Sequence, residues 1–390
     1  MPDPAADAPR PDEVEAGLWR ALGRVRDPEI LRPITDLGMV TEASVDADGR
    51  AIVQLSLTIA ACPAARRIEA DTLAAAASAP GVTEARVDVG VMSPEERQAF
   101  IERVRGGRAK RTSQFGALTR VIAVTSGKGG VGKSSITANL AAAIAARGLS
   151  VGLIDADVFG FSIPALMGLS SDGRTEQPTR VDELILPPVS HGVKVISIGM
   201  FLGDADPRST AVSWRGPMLH RTVEQFLSDV WFGDVDVLLL DLPPGTGDIA
   251  ISVGQLLPQA EVLVVTTPQE AAADVAVRSA LVARQTGQRV IGVVENMAGL
   301  PQPDGTVLEL FGSGGGRLVS ERLSDEEHGE IPLLGSVPLS ASFRAHGDAG
   351  TPAVLAEPED PASLALIELA SRLITGGPSR VGTPLPLSPG

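Results

Sequence analysis

The chain has 390 residues, 44% of them apolar, with 33 Lys and Arg against 48 Asp and Glu for a net charge of −15. That length exceeds one ordinary core and predicts two domains, while the acidic balance excludes nucleic acid or an anionic membrane as the main partner. Aromatics at 3% with no Tyr exclude a base-stacking platform, and the single cysteine, Cys62, excludes an internal disulfide framework.

Residues 1–11 are acidic and rich in Pro and Ala, lack the apolar core of a signal peptide, and are expected to be disordered. Apolar residues at helical spacing in PDEVEAGLWRALGRV then predict a helix with Asp12 as its N-cap. MVTEASVDADGRAIVQLSL reads as two strands joined across Asp46–Gly49. A second helix follows Pro63 and ends before Pro80-Gly81, and VTEARVDV supplies a third strand. Residues 12–101 therefore read as a small α/β domain. The basic, Gly-containing stretch 102–118 is expected to be a linker.

From Thr119 the pattern changes. RVIAVTS, SVGLIDAD, VKVISIG, VDVLLLDLP, EVLVVTTP and RVIGVVENM are near-continuous apolar runs, as in strands buried on both faces. Runs such as 133–147 and 269–286 are long enough for crossover helices. The fold class predicted for 119–375 is a doubly wound, mainly parallel α/β sheet with its binding crevice at the carboxyl edge. A helix in 355–376 closes the domain, and 376–390 forms a loose tail. No run of about 18 apolar residues suggests a membrane span, and four scattered histidines show no metal-ligand spacing. A reducing cytoplasm is the expected compartment.

Between a predicted strand and a predicted helix stands SGKGGVGKSS, residues 126–135. Gly127, four residues, then Gly132-Lys133-Ser134 has the spacing of a phosphate-binding loop. Gly127, Gly129, Gly130 and Gly132, with Val131 and Ser135, would turn backbone N–H groups toward phosphate oxygens at a helix N-terminus. Lys133 would place a compact charge on the outer phosphates, and Ser134 would offer a hydroxyl to Mg²⁺. A nucleotide's phosphates with Mg²⁺ are thus the expected ligand. Only four lysines occur among the 33 basic residues, and Lys128 is a second one within this loop.

A lysine at that position resembles the deviant loop of the dimeric P-loop ATPases, the Mrp, Min, Par and nitrogenase-iron-protein groups. The resemblance implies that Lys128 reaches across a nucleotide-sandwich homodimer to the partner's phosphates. It also implies slow Mg-dependent ATP hydrolysis, with Lys128, Lys133 and Asp157 catalytic and Asp157 orienting the attacking water. Asp241, ending VDVLLLD, would hold the Mg²⁺ water shell, with Asp155 near the metal. Gly245 in PPGTGD would give a backbone N–H to the γ-phosphate. Asn296 and Pro338 would meet the adenine.

TSGKGGVGKSS, DADVFGFSIP, WRGPM, LLLDLPPGTGD, ENM and FGSGGG together resemble the Mrp-type iron–sulfur cluster carrier ATPases over 119–375. RDPEILRPITDLGMV and LTIAACP resemble the MIP-type domain linked to iron–sulfur assembly. Family members of the better-known type carry Cys-x-x-Cys between the ENM and FGxGGG segments, where two subunits bind a bridging cluster. Here that segment is AGLPQPDGTVLEL (298–310), without cysteine. Cys62, ahead of a predicted helix, is either a reactive thiolate or cluster ligand, or a small buried apolar residue. The expected function is ATP-driven iron–sulfur cluster assembly or transfer to apoproteins, with assembly or recipient proteins as partners. A Par- or Min-like spatial organiser and an ATP-gated adaptor without its own cluster stand as alternatives.

Overall fold

The computed structural model describes residues 11–60, 62–106, 119–158, 160–172, 174–201 and 216–375. The expectations placed on residues 1–10, on 107–118 of the linker, on Trp214 and Arg215 of WRGPM and on the tail 376–390 lie outside these residues. The chain divides into two compact units, Met1–Arg111 with Thr179–Leu186, and Thr112–Pro178 with Pro187–Gly390.

The first unit begins with α1 (Pro11–Leu22), one residue ahead of the cap expected at Asp12. Strands β1 (Val40–Val45) and β2 (Arg50–Leu57) pair antiparallel. The turn between them is tied by Asp46, whose carboxylate accepts from the Asp48 and Arg50 amides at 2.9 Å each. Alternation in β2 sends Ala51, Val53, Leu55 and Leu57 into the core, the period-2 signal that made the strand readable. Helix α2 (Ala65–Ala77) crosses over to β3 (Glu84–Val91), which runs parallel to β2.

Helix α3 (Pro94–Arg105) was not expected, and it takes residues 102–105 out of the anticipated linker. Its start is a capping box: Ser93 accepts from the Glu96 amide and Glu96 accepts from the Ser93 amide. It buries Phe100, Ile101 and Val104 and stops at Gly106, whose φ of 60° suits glycine.

The second unit opens with β4 (Arg120–Ser126), α4 (Lys133–Ala145), β5 (Val151–Asp155) and the single turn α5 (Ile163–Leu166). Two small hairpins follow, β6 (Ser170–Ser171) with β7 (Arg174–Thr175), and β8 (Thr179–Val181) with β9 (Leu184–Leu186). The second hairpin groups with the first unit, where the Thr179 hydroxyl donates to buried Glu29 at 2.6 Å. Next come β10 (Val189–Ser190), β11 (Val193–Ser197), α6 (Gly216–Ser228), β12 (Val237–Asp241), α7 (Asp248–Leu256) and β13 (Glu261–Thr266). The chain continues through α8 (Glu270–Gln285), β14 (Arg289–Asn296), a hairpin of β15 (Leu300–Pro301) and β16 (Val307–Leu308), and α9 (Gly315–Leu323). It closes with β17 (Leu333–Val337), α10 (Ala341–Asp348), α11 (Ala353–Ala356) and α12 (Pro361–Thr375).

The main sheet has the order β10-β11-β5-β12-β4-β13-β14-β17. All pairs are parallel except the edge pair β10–β11, so this is the doubly wound α/β fold expected. From β4 the chain moves outward first to one side (β5, β11) and later to the other (β13, β14, β17). That reversal opens a crevice at the carboxyl edge of β4. Helix α4 is buried from Ile136 to Ile144, and its run of Ala141, Ala142 and Ala143 lets neighbours approach closely. Helix α8 buries a stripe of Ala272, Ala273, Ala276, Ala280 and Ala283 for the same reason. Among the described residues no helix is long and apolar enough to cross a membrane.

Candidate functional site

The loop 127–132 leaves the buried end of β4 and turns into α4. Gly132 is the helix N-cap, with φ at 80° and no side-chain capping bond. A Cβ at Gly132 would lie 2.2 Å from the Asn296 amide nitrogen, and one at Gly127 would lie 2.3 Å from the backbone of α8 at Ala276. Both positions therefore need glycine, for packing as well as for turning amides inward. The loop walls a cavity of about 630 Å³ with Lys128, Lys133, Ser134, Asp157 and Pro244 among its lining residues. That space suits a nucleotide's phosphates, and the residues present fit the group.

Under the cradle sits Asp241, which has no exposure to solvent. Its Oδ2 accepts from Lys133 Nζ and from the Ser134 hydroxyl, both at 2.6 Å. Its Oδ1 lies 2.8 Å from the Thr137 hydroxyl, which is also 2.9 Å from the Lys133 carbonyl. One hydroxyl proton serves one acceptor, and the carboxylate is the stronger. The strand register places Asp155 of β5 directly beside Asp241 of β12. Asp155 is wholly buried and accepts from the Ser197 hydroxyl at 3.0 Å and from the Asp157 amide at 3.1 Å. Burial first, and then the neighbouring Asp241 carboxylate, push it up to about 8 against the pull of Ser197 and Lys133. Asp157 stands farther out, with Oδ2 at 4.0 Å from Lys133 Nζ. Ser134 and Asp241 offer oxygen donors of the hard kind that could hold a Mg²⁺ ion through its water shell, with Asp155 beside them.

Residues 117–374 match the family described as NUBPL iron-transfer P-loop NTPase, and residues 15–89 match that of iron-sulfur cluster assembly protein. An iron-sulfur cluster carrier protein of Mycobacterium tuberculosis is 51% identical over 383 residues, covering 97% of this chain and 98% of that one. The chain belongs to the iron–sulfur cluster carrier family of P-loop NTPases. Another carrier protein, from Deinococcus radiodurans, is 39% identical over 91% of this chain and 93% of its own. A solved nucleotide-binding protein in complex with ADP from Archaeoglobus fulgidus is 35% identical, with a TM-score of 0.51 over 62% of this chain and 90% of that one.

Within this carrier-family chain the other expected residues lie around the loop and in the first unit. The Gly245 N–H, expected to face a γ-phosphate, donates instead to the Ser126 carbonyl at 2.8 Å, closing the ends of β12 and β4 together. Asn296 does not line the cavity; it is buried behind the loop and its amide donates to the Val131 carbonyl at 2.8 Å. Pro338 follows Val337, the β17 partner of Asn296, and likewise lies outside the cavity wall. Cys62 is half-buried, three residues before α2. Burial raises its pKa, the Glu29 and Asp27 carboxylates add to the rise, and the backbone bonds at Ala64 and Ala65 only partly oppose it. Of the two readings open for Cys62, desolvation that outweighs the amides favours the small buried apolar residue over the thiolate.

Sequence reasoning missed Thr137, Ser279 and Gln269. Thr137 lies one helical turn after Lys133, so a hydroxyl at that spacing could have been noticed. Ser279 bonds the Thr125 hydroxyl at 2.8 Å and the Gly245 carbonyl at 3.0 Å, fixing α8 against β4 and the segment after β12. Gln269 accepts from Lys128 Nζ at 2.9 Å across 141 positions of sequence, a pairing no local pattern announces.

Proposed function

We propose that this chain is an Mrp-type carrier ATPase. On that account it binds MgATP on 127–135, hydrolyses it in a nucleotide-sandwich homodimer, and uses the cycle in iron–sulfur cluster assembly or transfer to apoproteins. The observation that carries the reading is the bonding of Lys133, Ser134 and Thr137 to one buried carboxylate, Asp241, beneath the loop. Asp241 holds the two phosphate-side groups in place before ligand arrives. An incoming triphosphate competes for Lys133 with more charge than one carboxylate supplies, so the ammonium turns to phosphate and Asp241 is freed. Mg²⁺ would be held by Ser134 and, through water, by Asp241 with Asp155 behind it; it supplies charge neutralisation on the outer phosphates. Asp157, which lines the cavity, would orient a water against the terminal phosphate. Lys128 completes the site of the second copy.

The cluster is cargo. A cluster needs thiolate ligands, and two copies of this chain offer two Cys62 side chains. A second reading therefore has support: an ATP-gated adaptor that docks assembly or recipient proteins whose own thiolates hold the cluster. The half-buried Cys62 thiol and the cysteine-free segment 298–310 favour it.

Anaerobic reconstitution of the full chain with iron and sulfide tests the function. The carrier reading predicts bound iron and acid-labile sulfide, and ATP-dependent activation of an apo iron–sulfur enzyme that Lys133→Ala abolishes. The adaptor reading predicts activation only when a cluster-loaded partner is added. No activation under either condition would remove both.

A further inference from the structure

The loop lysine Lys128 is already engaged inside its own subunit. Its ammonium donates to Gln269 Oε1 at 2.9 Å, and the Ser126 hydroxyl holds the Lys128 carbonyl at 3.1 Å. The proximity is built in, because Gly127 packs against the α8 backbone at Val275 and Ala276 and so sets the loop beside the start of that helix. Gln269 is the N-cap residue of α8, yet its side chain makes no capping bond. Helix caps favour Ser, Thr, Asp or Asn, and Ser93 and Ser340 fill that role for α3 and α10. At the head of α8 a glutamine stands where it does not cap, and its amide oxygen is used on the lysine.

The electrostatics make this hold a weak one. The acceptor is a neutral amide, and the N-terminus of a 16-residue helix presents positive potential that disfavours a nearby ammonium. A phosphate bearing full charges would outcompete both. We infer that Gln269 is a positioning residue for Lys128, a neutral latch that parks the ammonium in the free subunit and releases it to the nucleotide of a second copy. This rests on the sandwich reading above and adds to it the group that sets how readily the lysine leaves.

The test compares Gln269→Glu and Gln269→Ala in the full chain, in wild-type and Lys128→Ala backgrounds, by sedimentation and by steady-state ATP turnover. A carboxylate at 269 makes a charge-assisted bond to the ammonium, roughly twice as strong as a neutral one. Gln269→Glu should raise the protein concentration for half-maximal MgATP-dependent dimerisation about tenfold. It should lower kcat while leaving KM for MgATP and monomer nucleotide affinity unchanged, and the effect should shrink as salt is raised. Gln269→Ala should shift dimerisation the opposite way, a few-fold. In the Lys128→Ala background neither substitution should change anything further. If Gln269→Glu and Gln269→Ala act alike, or act equally without Lys128, Gln269 is only structural and the latch is refuted while the sandwich stands. If Lys128→Ala alone dimerises and turns over as wild type, the sandwich reading fails and the latch falls with it.

Discussion

Thr137→Val isolates one strut of the Asp241 network. Valine keeps the β-branched shape and the fully buried volume of Thr137 but removes the hydroxyl at 2.8 Å from Asp241 Oδ1. Asp241, itself without exposure, keeps Lys133 and Ser134 on its other oxygen but loses its only side-chain partner on Oδ1 among the described bonds. A hydrogen bond to a charged group contributes about 1.5–3 kcal/mol, and a buried acceptor left short bears that loss in full. Over a unit of this size, about 2 kcal/mol lowers the melting temperature by roughly 4–8 °C. Thermal unfolding of the nucleotide-free protein, followed for the transition that MgATP shifts, is the assay. Thr137→Ser, which retains the hydroxyl, should recover most of the loss. A Thr137→Val shift of less than about 1 °C, or equal losses in Val and Ser, would refute the reasoning that Asp241 is held by this hydroxyl.

Other outcomes follow from separate parts of the structure. Iodoacetamide should alkylate Cys62 in the folded chain more slowly than in urea at pH 7.5. Its rate should still be climbing above pH 9, because the raised pKa keeps the nucleophilic thiolate scarce below it; a plateau below pH 8 would contradict this. Gly132→Ala forces a Cβ to within 2.2 Å of the Asn296 amide at a φ of 80°, and should weaken nucleotide binding at least tenfold by calorimetry. Ser93→Ala removes one half of the α3 capping box and should destabilise that helix by about 1 kcal/mol, read by amide exchange within 94–105.

The phosphate loop and the parallel sheet were legible because their signals are local. Val121–Val124 and Leu238–Leu240 are continuous apolar runs, and the loop's glycines and Lys133 stand at fixed spacing between a strand and a helix. Asp241 could be placed because it ends such a run. Strand β17 escaped because LLGSV is half-exposed and broken by Gly335, which leaves no run to see. Helix α3 is announced by Ser93-Pro94-Glu95-Glu96, but the basic stretch after it reads as a connector. What no pattern could supply is direction. The Gly245 amide turns back to Ser126, Asn296 braces Val131, and Lys128 meets Gln269, each through contacts between distant segments. For Cys62 the sequence offered both the helix end and the buried alternative, but not the Glu29 and Asp27 carboxylates that add to the rise.

The division of labour between the two loop lysines bears most directly on the account. Sedimentation of wild type, Lys133→Ala and Lys128→Ala with and without MgATP, paired with nucleotide binding to the monomer, separates them. The account predicts that wild type dimerises with MgATP and that Lys133→Ala loses nucleotide binding and dimer together. Lys128→Ala should bind nucleotide within about threefold of wild type yet fail to dimerise or turn over. Equal loss of nucleotide affinity in the two variants, or an intact MgATP dimer in Lys128→Ala, would contradict it.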